Sequence, residues 1–433
     1  MNDRPTTPPR ELDIVGIGFG PANLALAIAL DEHNREAGPE HRLTYAFVEK
    51  QAAFGWHTGM LLRGSRMQIS FLKDLVTTRH PTSGFSFVSF LDAKGRLAEF
   101  INSRSVFPSR AEFHQYLEWA ANRVVGDVHY GSEVVDVLPV EHDGEVVALE
   151  VRARRAGGTA SWRARNVVVA TGLVPELPAG VPGSDRIWHN ASLRDRLRVE
   201  PARSATRFMV VGAGQSAAET ARWLHERRED AQVYSVFARY GFSPADSSPF
   251  ANGIFDTAAV PLFFNAPPGV KRMLLDYHRN TNYSVVDPDL IDDLHTTVYE
   301  EKVAGRSRLH LLNASRVVGV EARRDEVRVT VEDLTTGTVV PMDVDVLVYA
   351  TGYRPGDPLD VLGRAGALCE RDGEDRLAVR LDYRVRTAPH VACGIYVQGP
   401  TEHTHGLSSS LLSNAAVRAG DIVDSVLAGE KAR

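Results

Sequence analysis

Cysteine is nearly absent, with Cys369 and Cys393 the only two in 433 residues. So small a supply argues against a disulfide framework, excludes any CxxC redox pair, and suits a reducing cytoplasm. An excess of positive charge is also lacking. Forty-nine Lys and Arg stand against 55 Asp and Glu, for a formal charge of −6. With no basic stripe, nucleic acid is not an expected partner. No apolar run approaches the roughly 18 residues of a membrane span. The opening "MNDRPTTPPRELD" lacks the apolar core of a secretory signal. Residues 1–10 read as a disordered tail.

What is present is a chain with 43% hydrophobic residues, enough for a large core and two or three domains. Two glycine-rich turns stand about 200 residues apart, in "DIVGIGFGPANLALAIAL" (13–30) and "RFMVVGAGQSAAE" (207–219). Each follows an apolar strand and opens an Ala-rich helix, which predicts an α/β fold with two Rossmann-like dinucleotide-binding domains. Between them "EVVDVLPV", "VVALEVRARR" and "NVVVATGLVPELP" read as strands, the last ending in Ala170-Thr171-Gly172. A matching "DVDVLVYATGYRP" ends in Ala350-Thr351-Gly352. Residues 241–300 show no alternating pattern and predict short helices and loops. "HGLSSSLLSNAAVRAGDIVDSVL" predicts a C-terminal helix whose start faces a ligand.

In the first turn, Gly16 is expected to allow the tight turn and Gly18 to let the backbone approach a pyrophosphate. Pro21 stands in the third fingerprint position, where a missing N–H costs little. Glu49 closes the next apolar strand, where an acid can bind both ribose hydroxyls, so this turn is assigned to FAD. In the second turn Gly212, Gly214 and Ala217 give the GxGxxA form. Its next strand ends in Arg239 instead of an acid. A guanidinium there suits a 2′-phosphate, so this turn is assigned to NADPH. Hydride then passes from nicotinamide to flavin. A disulfide reductase would relay it to a cysteine pair, which this chain lacks. A carbonyl or sulfur monooxygenase would show FxGxxxH before the second turn, and Gly183 and His189 of "VPGSDRIWHN" are too far apart for that. A flavin that meets oxygen beside another substrate remains.

The block "MQISFLKDLVTTRHPTSGFSFVSFLDAKGRLAEFINSRSVFPSRAEFHQYLEWAA" (67–121) closely resembles the L-ornithine N5-monooxygenases of hydroxamate siderophore biosynthesis. So do "SPFANGIFD", "NYSVVDPDLI", "VYATGYRP" and "HGLSSSLLS", in order from residue 12 to 427. The resemblance implies a discontinuous FAD domain (11–203 and 342–428) and an NADPH domain (204–341) whose residues 241–300 contribute the substrate region. It implies a cycle in which O2 adds to reduced flavin as a C4a-hydroperoxide, attacked by a neutral amine, while NADP+ stays bound. It also implies a homotetramer.

By the same resemblance Glu49, Lys50, Trp56 and His57 wrap the FAD, and Gln68 borders the oxygen site. Val134 touches adenine through its backbone. Gln215 and Ser216 belong to the NADPH turn and Thr351 to the second ATG end. Lys73 pairs with the substrate carboxylate. Asn252 and Asn282 bind the backbone end of the amino acid, with Phe255 beside them. Asn282, Tyr283 and Ser284 border the nicotinamide ribose. Leu407 and Ser408 meet the flavin, and one of Ser408, Ser409 and Ser410 meets the side-chain nitrogen. Two departures from the family pattern are Gly253, where Val-Asn-Glu is usual and Ala251-Asn252-Gly253 stands, and Ser409 in place of an acid. A lysine N6- or diamine N-hydroxylase is the alternative within the superfamily. A non-hydroxylating flavin reductase is the alternative outside it.

Overall fold

The computed structural model describes residues 11–246, 248–278 and 284–431. Residues 1–10, Asn282 and Tyr283 lie outside the described residues. The first sheet is a parallel array in the order Asp127–His129, Tyr45–Val48, Glu11–Ile17, Gly158–Val169. The 12-residue strand Gly158–Val169 pairs with Glu11–Ile17 along one edge and with two further strands along the other. Its first half pairs antiparallel with Glu145–Arg155, which pairs in turn with Glu133–His142. Its last four residues pair in parallel with Gly394–Val397. That half is Asn-Val-Val-Val, apolar on both faces as a buried parallel strand must be.

Helix Pro21–Glu36 covers one face of this sheet. Proline at its first position costs no hydrogen bond, and Leu24, Leu26, Ile28 and Leu30 are all fully buried. Each such side chain contributes about 1.5–3 kcal/mol on leaving water. The C-terminal helix Ala415–Lys431 lies against it, with Ile422 and Val426 in the same cluster. An aromatic group from helices Phe87–Ala93 and Arg110–Ala121 completes this core, with Phe87 and Phe113 stacked at 5.8 Å between ring centroids.

The second sheet is wholly parallel, in the order Leu309–Leu312, Gln232–Val236, Arg207–Val211, Val346–Tyr349, Ile187–His189. It thus takes strands from both sides of the 204–341 span. Ile187 and Leu347 are both fully buried, so each side of the span adds an apolar strand to this core. A three-stranded antiparallel sheet, Ser315–Ala322, Val327–Asp333 and Val339–Val344, packs beside it. Leu173–Pro175 and Tyr353–Pro355, the residues just after the two ATG ends, form an antiparallel ribbon. The 241–300 region is helical as expected, with helices Pro249–Asn252, Ala259–Asn265, Pro268–Tyr277 and Pro288–Val303. Cys369 and Cys393 are buried and form no disulfide. Among the described residues no helix is long and apolar enough to cross a membrane.

Candidate active site

Both glycine turns are where the strand–helix pattern places them, but the first has a shifted register. Gly16 is still in the strand, paired with Phe47, and a Cβ on it would run into the Phe47 ring at 2.2 Å. The turn itself is Gly18-Phe19-Gly20. Gly18 has φ +84°, its Cβ would sit 2.5 Å from the Ala170 carbonyl oxygen, and Gly20 caps the helix that begins at Pro21. At the second turn Gly212 has φ +148°, its Cβ would sit 2.4 Å from the Ala350 carbonyl oxygen, and Gly214 caps the helix that begins at Gln215. Gly18 and Gly20 therefore match Gly212 and Gly214, and Asn23 matches Ala217. This corrects the expected Gly16, Gly18, Pro21 reading: Gly16 makes room for Phe47, and Pro21 is the first residue of the helix. The run "GFGPAN" offered the alternative spacing, and the strand length decides between them.

Asn23 is fully buried and donates to the carbonyls of Gly18 (2.7 Å) and Ile17 (3.3 Å). Gln398 donates to Asn23 at 2.9 Å, and Arg418 of the C-terminal helix donates to Gln398 at 3.2 Å and to the Ser409 carbonyl. A buried chain of polar groups thus ties the Leu407–Ser410 turn to the first glycine turn. Glu49 accepts from the backbone N–H of Phe19 (2.6 Å) and of Gln51 (2.8 Å). Its carboxylate still has acceptor positions for ribose hydroxyls. Lys50 is exposed, and Trp56 is half-buried against Phe113 at 6.1 Å. His57 is exposed and lies 5.7 Å from Tyr353 between ring centroids. Val134 pairs with Ala153 and borders a β-bulge at Val135, which disrupts the ladder locally.

At the second turn Ala217 is buried, Ser216 is the second helical residue, and the Gln215 N–H donates to Val285 at 2.8 Å. Ser284 passes over Gly214, where a Cβ would meet Ser284 Cα at 3.3 Å. Arg239 donates to the Ser284 carbonyl at 2.7 Å and to Ser243 at 3.1 Å. A cavity of about 500 Å³ opens beside Gly212 and Ala213, lined also by Phe237, Ala238, Val317 and Tyr349. It lies at the C-terminal ends of the parallel strands, where such sheets bind nucleotides. Thr351 donates to the Glu176 carbonyl at 2.7 Å and so braces the ribbon.

Lys73 is half-buried and lies 3.9 Å from the carboxylate of Asp256. Asp256 follows the turn Gly253–Phe255, in which Phe255 is half-buried and which packs against Leu407–Ser410. Asn252 ends the preceding helix. Lys73, Asn252, Phe255 and the serine turn are thus brought into one neighbourhood. Ser408 and Ser409 are buried, and Ser410 is half-buried. The hydroxyls of Thr401, Ser409 and Ser413 and the Asn414 amide nitrogen are buried without a hydrogen-bond partner in the protein, so they have capacity for a ligand. Gln68 donates to Asp287 at 3.1 Å. Asp287 also joins Gln215, which donates to Glu219, and Glu219 takes two bonds from Arg110 at 2.8 and 3.0 Å. Burial, with the negative charges of Glu219 and Asp289, pushes the Asp287 carboxyl up. Sequence reasoning missed Asn23, Asp256, Asp287 and the Arg110–Glu219 pair. Each acts through a partner distant in sequence.

The family described as L-lysine 6-monooxygenase/L-ornithine 5-monooxygenase matches residues 10–355. The chain belongs to this family. The L-ornithine N(5)-monooxygenase of Burkholderia cepacia is 40% identical, over 91% of this chain and 89% of that protein. The ornithine N-hydroxylase of Kutzneria sp. 744, solved with reduced FAD, NADP+ and L-ornithine, superposes with a TM-score of 0.93 at 48% identity, covering 97% of this chain and 100% of that one. The L-lysine 6-monooxygenase of Pseudomonas syringae gives a TM-score of 0.85 at 31% identity, covering 97% and 100%. As a family member the chain has the expected α/β architecture of two dinucleotide-binding units. Among its described residues no cluster of His, Cys, Asp and Glu could hold a metal.

Proposed function

We propose that this protein is an L-ornithine N5-monooxygenase, which uses FAD, NADPH and O2 to hydroxylate the side-chain amine. The observation that carries this reading is the convergence of Lys73, Asn252 and the Leu407–Ser410 turn, with Gln68 tied through Asp287 to Gln215 at the second glycine turn. The site fits FAD: the 16-residue helix starting at Pro21 offers its N-terminus to a pyrophosphate, and the unsatisfied polar groups around Ser409 and Asn414 await an isoalloxazine-like partner. When bound, FAD supplies hydride acceptance from NADPH and the activation of oxygen.

The chain's own residues do the rest. Lys73 is displaced from Asp256 by the α-carboxylate of the amino acid, which offers the better-placed charge. Asn252 and Asn282, each both donor and acceptor, orient the backbone end. That leaves the side-chain amine directed at the serine turn, where one of Ser408, Ser409 and Ser410 or its backbone holds it. The amine must be neutral to react, and removal from water in the closed site favours loss of its proton. Arg239 with Ser243 is the site for the 2′-phosphate of NADPH. We place the enzyme in the cytoplasm, feeding hydroxamate formation, as a homotetramer.

L-Lysine is the second reading, and one observation favours it. A Cβ at Gly253 would meet nothing within 4 Å, so the segment offers space that the usual Glu would fill. One methylene discriminates by only about 1–3 kcal/mol. Product analysis with ornithine, lysine, putrescine and cadaverine decides among them. Amine-independent NADPH oxidation with no hydroxylamine from any of the four would leave only a flavin reductase.

A further inference from the structure

Asp287 stands at the N-cap of helix Pro288–Val303, where an aspartate ordinarily accepts from the helix's own first N–H groups. Here it does not cap its helix. One carboxylate oxygen accepts from the Gln68 amide at 3.1 Å, and the other accepts from the Gln215 amide at 3.0 Å. The Asp287 N–H in turn donates to the side-chain Oε1 of Gln215 at 2.8 Å, so the Gln215 amide is gripped at both ends. Gln68 belongs to the segment that follows the first nucleotide strand pair, and Gln215 is the first helical residue of the second glycine turn. A second tie runs parallel to the first: Gln215 donates to Glu219 at 3.1 Å, and Glu219 holds Arg110, which also donates to the Met60 carbonyl at 3.1 Å.

We propose that Asp287 is a positioning residue that sets the amide of Gln68 and the second glycine turn in fixed relation to each other. A carboxylate only accepts, so it selects the NH2 end of each glutamine facing it. The carbonyl of Gln68 is thereby left as the end that can meet a ligand at the oxygen site, and the Gln215 side chain is held clear of the helix start. Loss of the charge at Asp287, with its shape kept, allows the Gln68 amide to flip and weakens its tie to Gln215, whose own orientation is still set by the Asp287 N–H and Glu219. This inference rests on the functional reading above for the role of Gln68. It reaches beyond it in naming what orients that residue.

The test compares wild type, Asp287→Asn, Gln68→Ala and the double variant, all purified with FAD. NADP+ affinity is measured by titrating the flavin absorbance, and coupling is measured as hydroxylated ornithine formed per NADPH consumed. Asp287→Asn should weaken NADP+ at least threefold and lower product per NADPH at least threefold, with hydrogen peroxide making up the difference. Gln68→Ala should lower the yield similarly, and the double variant should be no worse in yield than the worse single variant. Yield losses that multiply, or an Asp287→Asn enzyme equal to wild type in both measurements, overturn the proposal. If Asp287→Asn does not fold, Gln68→Glu probes the same contact by setting two carboxylates face to face. An unchanged yield in that variant overturns the proposal too. A wild-type enzyme that hydroxylates no amine sinks the functional reading instead, and the NADP+ titration still judges Asp287.

Discussion

At the first turn, strand Glu11–Ile17 hands over to its helix across Gly18-Phe19-Gly20; at the second, strand Arg207–Val211 does so across Gly212-Ala213-Gly214. In each, the glycine after the strand lies under the carbonyl of an ATG alanine, Ala170 in one and Ala350 in the other. The plan is repeated, and its surroundings are not. The first turn is plugged from below by Asn23 and strapped from the side by Glu49, both buried and both bonded to turn backbone. The second is flanked by Arg239 and by side chains whose bonds lead out of its own unit, Gln215 through Asp287 to Gln68 and Glu219 to Arg110. A tightly braced turn suits a nucleotide that stays, and a turn whose braces run to the other unit suits one that comes and goes.

The harshest break of this comparison is an alanine under each ATG carbonyl. At Gly18 and Gly212 a side chain meets backbone oxygen at 2.5 and 2.4 Å, and φ is positive at both. The cost should be on the order of 2–4 kcal/mol at each site. Gly18→Ala should purify with little flavin, whereas Gly212→Ala should stay yellow and lose NADPH-driven flavin reduction. Absorbance at the flavin maximum and anaerobic reduction by NADPH and by dithionite check this. Loss of flavin from both variants would mean that the units do not hold their nucleotides separately.

Next in size is Lys73→Ala. If Lys73 exchanges Asp256 for the substrate carboxylate, its loss should raise the KM for ornithine more than tenfold, about 2 kcal/mol, through a lost charge-assisted bond and an unpaired carboxylate. Flavin reduction by NADPH should hardly change. Putrescine, which has no carboxylate, should be a poor substrate for wild type and lose little further. Equal losses on both amines would make Lys73 structural. A smaller effect is expected at the second turn: Arg239→Ala should raise the KM for NADPH about tenfold and leave that for NADH nearly unchanged. Arg239 also donates to the Ser284 carbonyl, so part of any loss common to both cofactors belongs to that bond.

Legibility in the sequence followed the range of the interactions. Both strand–turn–helix units, the C-terminal helix and the helical 241–300 region could be read because apolar periodicity and glycine act locally. The register of the first turn could not, since whether Gly16 or Gly18 leaves the strand depends on Phe47 and Ala170, 31 and 152 residues away. Two strands of the second sheet from outside the 204–341 span, Ile187–His189 and Val346–Tyr349, are apolar runs whose sheet is chosen by packing alone. Lys73 was legible through its sequence block, but its partner Asp256 was not, because nothing local brings residues 183 apart together. Asn252 lies where the substrate region was expected, and Asn282 lies outside the described residues.

Acid should separate the two units by the least of these effects. His405, in the first unit, is buried and stacked on Tyr383 at 4.2 Å between centroids, with its ring nitrogens on Thr404 and the Leu381 carbonyl. Burial brings its imidazole down to about 4, the Leu381 carbonyl opposing and Arg418 adding to the shift. An unfolded histidine takes its proton near 6.5, so the unfolded chain binds more protons below that pH, and stability falls from about pH 6.5 toward 4. In the second unit Glu301 stands against His225 at 2.7 Å. Burial pushes its carboxyl up, but the backbone N–H groups of Arg308 and Leu309 and the His225 ring outweigh this and bring it down to about 2. Its contribution is present above about 4.5 and is lost as pH falls toward 2. Of these two groups His405 withdraws its stability at the higher pH, so the first unit should release FAD fluorescence between pH 6 and 4. His405→Gln, which keeps a polar side chain but does not titrate, should flatten that early phase. If the variant loses flavin over the same pH range as wild type, His405 is not the group responsible, and the braced first turn is not the more acid-sensitive of the two.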